Sequence, residues 1–455
     1  MIERAKSVTL TVLVLLSLVL TGRLMLGFQG PARSPEQPFQ LVVAEKPKVD
    51  IKQALRPSRI VVHLGGNQHT VLYPGGSDYT ALWDTGLISR AVLGEVSGVP
   101  RESPVDLRAL RTEQGSIEVI LPVRLPFSQW MVIWTGYPWT EGPDFMCDRL
   151  AISTGKTPAV FAYSYRHDRY LRFDLRGLGR DSSILLSQLR DVMRKPPARY
   201  VEAPTEINGV SIDRGVFLPL DLPVATLMVK PEPLVPDQIL QKFFLDRSVV
   251  RRIEEKDGAV IYSDGRQGLR IYRPGAIEYT CPLVTGDASG MDELTVLERS
   301  LEFVATHGGL PDGAFLLDSM GRVHKLSGGL SEVQFSYSYR GIPVWGNDSP
   351  ISVTLSSQGT ESYRRCVRVV VGPSAPANPT VPGAEALNIV TRHWGGVFPE
   401  WVTRSIRDVY YAYWSLPLGE RQEALKLVWV IETATGPRAF VDARSGAVWG
   451  EERAR

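Results

Sequence analysis

Six histidines, His63, His69, His167, His307, His324 and His393, are the side chains here that could titrate near neutrality or ligate a metal. No two stand in an HExxH pattern or four residues apart, the spacing that sets two imidazoles on one helix face around zinc. His63 and His69 flank a Gly-Gly turn, so a structural role is expected of them. Cys147, Cys281 and Cys366 lie far apart without CxxC or Cys/His spacing. They read as buried thiols, with one bridge between two of them as the alternative, and no metal site is expected. Neither a GxSxG nucleophile elbow nor a GxxxxGK[ST] phosphate loop occurs. The glycine-rich pieces LGGNQH, near Gly65, and YPGGSD, near Gly75, lack the strand-to-helix spacing that aligns amides on an anion, and read as turns. Asp264, Glu278, Glu298 and Asp442 are scattered, and nothing pairs two of them as glycoside hydrolysis requires. No catalytic, cofactor-binding or metal-ligating residue is assigned, and no cofactor is expected.

Two aromatic clusters remain: WMVIWTGYPW, Trp130 to Trp139, and DVYYAYWSLPL, which contains Tyr410 to Trp414. Core and edge-strand packing is the reading for most of these rings, with a glycan or protein contact surface as the alternative.

The elements that would position such residues come from a chain of 455 residues, 44% hydrophobic and 22% charged, enough apolar mass for two to four cores. Its 51 basic and 49 acidic residues leave a net charge of +2, which gives no electrostatic ground for nucleic acid as a partner. From Ser7 to Phe28 the sequence SVTLTVLVLLSLVLTGRLMLGF is almost wholly apolar. A helix of about 21 residues rising ~1.5 Å each covers the ~30 Å of a bilayer core. The apolar run is longer than a cleavable signal needs, and the TGRLMLGFQGPAR that follows Leu20 offers Gly-containing but poor cleavage sites. An uncleaved transmembrane anchor is therefore expected, with Arg4 and Lys6 keeping the short N-terminus cytoplasmic and the bulk of the chain extracytoplasmic. Ser17 and Thr21, four residues apart, share a helix face near Leu10, Leu13 and Val14, where another helix could approach. Arg23 is placed to snorkel and set the depth of the span.

Beyond the span, Gln29 to Pro57 is rich in proline and charge and reads as a stalk. Residues 58–204 mix strands such as RIVVHL and SIEVILPVRLPF with a helix, SSILLSQLRDVMR, that puts Ile184, Leu185, Leu189 and Val192 on one face. Residues 205–372 contain an antiparallel meander, Ile253 to Pro282, punctuated by Asp257-Gly258, Asp264-Gly265 and Pro274-Gly275. A helix from about Asp292 to Thr306 follows, stopped by Gly308-Gly309, and then strands in which Val333, Phe335, Tyr337 and Tyr339, and next Ile351, Val353 and Leu355, alternate. After a proline-rich linker, 373–383, the order repeats: a helix from Ala384 to Trp394, a Gly395-Gly396 stop, and strands with Leu425, Leu427, Trp429 and Ile431 alternating. The fold class is α+β: a single N-terminal transmembrane helix and about three extracytoplasmic α+β domains, the last two a helix packed on an antiparallel sheet.

Four stretches carry a resemblance: LTVLVLLSLVLTGRL, FFLDRSVVRRI (Phe243 to Ile253), VIYSDGRQGLRIYRPGAIEYTCP (Val260 to Pro282) and KLVWVIETATGPRAFVDARSGAVWG (Lys426 to Gly450). In that order the chain resembles the YycH (WalH) family, and its last segment resembles the strand pair of YycI and PepSY-type domains. The resemblance implies a non-enzymatic, single-pass cell-membrane protein that acts with a YycI-like membrane protein on the WalK (YycG) sensor histidine kinase controlling cell-wall metabolism. It also implies that the transmembrane helix itself touches the kinase, which makes Leu10, Val14, Ser17 and Thr21 the contact candidates and leaves the domains 58–204, 205–372 and 384–455 outside. A membrane-anchored wall-binding protein or wall hydrolase is the rival reading.

Overall fold

The computed structural model describes residues 51–102, 107–136, 145–155, 158–164, 170–175, 180–220, 225–282, 284, 286–288, 290–311, 314–316, 324–325, 329–346, 349–373, 381–397, 405–434 and 438–452. The expected transmembrane segment, most of the stalk, the middle of the 373–383 linker and the turn at Thr435-Gly436 lie outside these residues.

The first sheet is antiparallel throughout. Its strands are β1 (Arg59–Gly65), β2 (Gln68–Leu72), β3 (Val96–Glu102), β4 (Ile117–Pro126), β5 (Met146–Ser153), β6 (Ala159–Tyr163), β7 (Tyr170–Leu175), β8 (Tyr200–Glu202) and, after a small ribbon of β9 (Glu206–Ile207) and β10 (Val210–Ser211), β11 (Phe217–Pro219). They lie in the order β11-β8-β2-β1-β4-β5-β6-β7-β3, so this sheet draws on residues beyond the boundary expected at 204. The helix Arg180–Arg194 packs on it through Leu185, Leu189 and Val192. Ile184, expected on that face, is instead 42% exposed. The buried stripe is Ser182, Leu185, Leu189 and Val192, with the Ser182 hydroxyl donating to the Ala91 carbonyl at 3.0 Å, so a polar residue holds the place the hydrophobic reading gave to Ile184. Ala54 and Leu55, inside the stretch read as stalk, are buried in the core.

The second sheet takes in most of the remaining strands. The meander is β13 (Arg251–Glu254), β14 (Val260–Ser263), β15 (Gly268–Tyr272) and β16 (Ala276–Thr280), all antiparallel neighbours as the turn pairs predict. Gly258, Gly265 and Gly275 sit at φ of 82°, 87° and 79°, the left-handed region those turns require. After the short β17 (Ala314–Leu316) and β18 (His324–Lys325) come β19 (Ser331–Tyr339), β20 (Ile342–Gly346), β21 (Ile351–Ser356), β22 (Gly359–Arg365) and β23 (Arg368–Pro373). The last four are β24 (Ile406–Ser415), β25 (Ala424–Thr433), β26 (Arg438–Asp442) and β27 (Val448–Glu452).

One strand makes the central and C-terminal segments a single sheet. β12 (Leu227–Pro231) runs between β25 and β23 and pairs with both. A second join is the parallel pairing of β20 with β24.

The helix Glu293–Thr306 lies on β19 and β21, and the helix Gly383–Val397 on β25 and β26. Asp292 caps the first, accepting the Thr295 backbone N–H at 2.9 Å, and the Gly308-Gly309 stop follows it as expected. The second does not stop at Gly395-Gly396: its backbone stays helical to Val397. Two glycines lower helix propensity without forbidding the helix.

Leu425, Leu427, Trp429 and Ile431 are buried as their alternation predicts, yet Val428 and Val430 between them are buried too. β25 is therefore covered on both faces, by the main core on one side and by a cluster of Trp345, Tyr410, Trp414 and Phe440 on the other. The main core continues from Leu55 through Trp130 and Phe335 to Trp394 and Trp429.

Candidate functional site

His63 and His69 face each other. The β1–β2 hairpin sets them directly opposite, and their Nδ1 atoms lie 2.8 Å apart. Asn67 Oδ1 accepts the Glu202 backbone N–H, so His69 Nε2, 3.4 Å from that oxygen, is its donor side and Nδ1 its acceptor. His63 Nδ1 then donates. Burial, with His63 and Arg111 adding to it, lowers the His69 pKa to about 3, which keeps that ring neutral.

Behind the pair sits Glu118 of β4, fully buried. Its carboxylate accepts from Arg111 Nε at 2.6 Å and from the Tyr163 hydroxyl at 2.8 Å. His63 Nε2 stands 3.3 Å from Oε1, within ion-pair range though off the hydrogen-bond direction. Burial alone pushes this carboxyl up, but the Arg111 guanidinium and His63 outweigh it and hold Glu118 well below its usual range. Arg111 also donates to Glu202, at 3.1 Å, and lies over the Phe217 ring. With His63, His69 and Glu118 each at most 1% exposed, the cluster meets no substrate, and its chemistry is structural. No grouping of three His, Cys, Asp or Glu side chains able to hold a metal occurs among the described residues.

The scattered carboxylates stay apart. Asp264 accepts the backbone N–H groups of Arg266 and Gln267, and Asp442 those of Arg444 and Ser445, both as turn acceptors. Glu278 binds Arg364 and the Tyr272 hydroxyl, and Glu298 is exposed on its helix. Cys147 and Cys366 are buried and Cys281 half-buried.

The aromatic clusters divide. Trp130 and Trp134 stack at 4.6 Å within the core, with Trp83 edge-on to Trp134. In the second cluster Tyr410 and Trp414 pack on one face of β24, while Tyr411 and Tyr413, on the other, line a cavity of about 520 Å³. That cavity lies between the end of β2 and the β19–β20 turn, where the Ser338 hydroxyl donates to the Pro74 carbonyl. YPGGSD forms one wall: a turn, as read, but one that lines a pocket.

A third feature is the outer edge of the second sheet. β13 is the edge strand, and all four of its residues are exposed. Ile253 is 53% and Val249 56% exposed, and Leu245 is fully so.

No protein-family model matches the sequence, and no curated protein does. Among solved structures, the crystal structure of YycH from Bacillus subtilis matches with a TM-score of 0.56 at 14% identity, covering 84% of this chain and 95% of that one. The chain has the YycH fold. An uncharacterized protein from Eubacterium rectale aligns at a TM-score of 0.34 and 10% identity over 55% of this chain and 93% of that one, too loosely to carry an argument. The YycH likeness accords in fold with the resemblance carried by FFLDRSVVRRI, the meander and the last strand pair. Leu10, Val14, Ser17, Thr21 and Arg23, the residues singled out for helix contact and depth, lie outside the described residues. Among those described, no helix is long and apolar enough to cross a membrane.

Proposed function

We propose that this chain is a non-enzymatic, membrane-anchored regulator of a WalK-type sensor histidine kinase controlling cell-wall metabolism, working beside a YycI-like membrane protein. The likeness in fold to YycH over 84% of the chain carries the reading. Two features support contact as its mode. The apolar run Ser7 to Phe28 has the length of a bilayer span, which would leave the N-terminus in the cytoplasm and the folded body outside. The edge strand β13, with exposed apolar side chains beside it, offers a surface for extracytoplasmic pairing.

In the span, Leu10, Val14, Ser17 and Thr21 form the face offered to the kinase helices, and Arg23 fixes its depth. Each small polar contact of this kind is worth ~0.5–2 kcal/mol. A differential of ~1.4 kcal/mol shifts a two-state kinase tenfold, so two or three contacts suffice.

Replacing Val8 to Thr21 by polyleucine tests this directly. Kinase output, read as response-regulator phosphorylation, is expected to change while the protein still reaches the membrane, and the native protein is expected to co-purify with a histidine kinase. Unchanged phosphorylation together with no kinase in the purified complex would sink the reading.

A further inference from the structure

Arg251, Arg252, Ile253, Glu254 and Glu255 run from two positive charges through an apolar centre to two negative ones. The first four form β13, the outer strand of the second sheet, and each of them is exposed. Read in the opposite direction, the same run has its signs reversed. An antiparallel second copy therefore meets opposite charges at every step, as a two-fold, self-complementary contact requires.

Backbone geometry narrows the register. The Glu255 N–H donates to the Ala259 carbonyl at 2.8 Å and its carbonyl accepts the Gly258 N–H at 2.9 Å, so Glu255 turns its backbone groups inward. Pairing with β14 is unbroken from Arg251 to Glu254. By alternation Arg251 and Ile253 also face inward, and Arg252 and Glu254 point their N–H and C=O groups at the free edge. Hydrogen bonds to a second β13 need outward groups opposite outward groups, which puts the two-fold axis on a residue and not between residues. On Arg251 or Arg252 it sets arginine opposite arginine, and on Glu254 or Glu255 glutamate opposite glutamate, and like charges directly opposite are destabilising. On Ile253 it sets Arg252 opposite Glu254, Arg251 opposite Glu255, and Ile253 opposite itself.

That register uses what each side chain leaves open. Ile253 is 53% exposed and gains an apolar neighbour. Arg252 pairs with Glu254 of its own chain at 3.2 Å, but both lie at the surface, where such a pair adds little and is readily shared. Charges that only kept an edge soluble would need no order of sign.

We propose that β13 pairs with β13 of a second copy of this chain, about a two-fold axis at Ile253. Backbone hydrogen bonds link Arg252 of each copy to Glu254 of the other, and the two second sheets become one. This deepens the reading of β13 as a contact surface and rests on it, but not on kinase regulation. A kinase is then met by two copies at once, so that loss of the edge lowers its capture through loss of the pair.

Contact over one short strand is small beside the ~1,000 Å² of stable interfaces, so the pair exchanges and is read by trapping it. Residues facing each other at the axis are ~4.5 Å apart between Cα atoms, within disulfide range. The full chain carrying Ile253→Cys is oxidised in detergent micelles. A disulfide-linked dimer is expected well above that of the native chain, whose Cys281 is half-buried, and above those of Arg252→Cys and Glu254→Cys, whose twins lie farther apart. Adding Arg252→Glu to Ile253→Cys should lower the yield about tenfold. Adding Glu254→Arg as well should restore it, which a merely unfolded variant would not do. A dimer no greater than the native background, equal trapping at 252, 253 and 254, or a yield indifferent to Arg252→Glu each overturns the proposal. So does preferential linkage of Ile253→Cys to a different protein when whole membranes are oxidised. Kinase co-purification is measured separately, so a missing dimer and a missing kinase contact are told apart.

Discussion

The ribbon of β1, β4 and β5 and the ribbon of β13 to β15 are both antiparallel and both rich in charged side chains, but they dispose of those charges in opposite ways. In the first, Glu118 is sealed beneath Arg111, Tyr163 and His63. In the second, Arg252 pairs with Glu254 at 3.2 Å, and Arg270 with Glu255 and Asp257, all at the surface. A buried charge whose partner is removed is costly, whereas exposed pairs add little. The first ribbon therefore uses its charges to fix its own packing, and the second keeps its edge soluble while leaving the outer backbone of β13 open to a partner.

That contrast can be broken at its strong end first. Glu118→Ala leaves the buried Arg111 with Glu202 as its remaining carboxylate and the buried Tyr163 hydroxyl without its acceptor, and is expected to cost about 3–5 kcal/mol, read as a large fall in the urea midpoint. A loss below about 1 kcal/mol would mean the cluster is no more structural than the surface pairs. Acid comes next. The unfolded chain protonates His69 near 6.5 and the folded chain only near 3, so the unfolded state binds more protons between them and stability falls as pH drops through that window. Glu118, held down in the folded state, adds to the loss below its ordinary value of 4.5. Urea midpoints at pH 7, 5.5 and 4 should decline in steps, and His69→Phe should flatten both, the second more than the first. At the weak end, Ile253→Thr on β13 should change stability by no more than ~0.5 kcal/mol while lowering co-purification of the kinase. Equal co-purification would leave the exposed edge without a role in contact.

What the sequence disclosed divides along the same line. The meander and the helix Glu293–Thr306 were legible because their signals are local: turn pairs between short β-rich runs, an apolar helix face, a glycine stop. Alternation in β19 and β21 was legible for the same reason. The His63–His69 pair was half legible, since equal β-rich runs around a Gly-Gly turn imply a hairpin that sets the two rings opposite. Glu118, Arg111, Tyr163 and Glu202 come from four other segments, and no local pattern announces their meeting. The tyrosine cavity was hidden likewise, because the aromatic run at Tyr410 to Trp414 sends alternate rings to opposite faces of β24. Ile184 misled because hydrophobicity was read ahead of the helical period, which gives its place to Ser182.

β12 has a bearing on the order in which the chain can be built. Leu227 and Met228 are made about 200 residues before their partners on β25, Leu425 and Ala424. Until β24 and β25 arrive, β12 and β20 each lack a neighbour, and the second sheet cannot close. Unpaired strands of that kind fold slowly and invite mispairing. A nascent chain of this design needs protection until β24 and β25 have emerged, and loss of those two strands would leave β12 and β20 each with an open edge in the middle of the molecule.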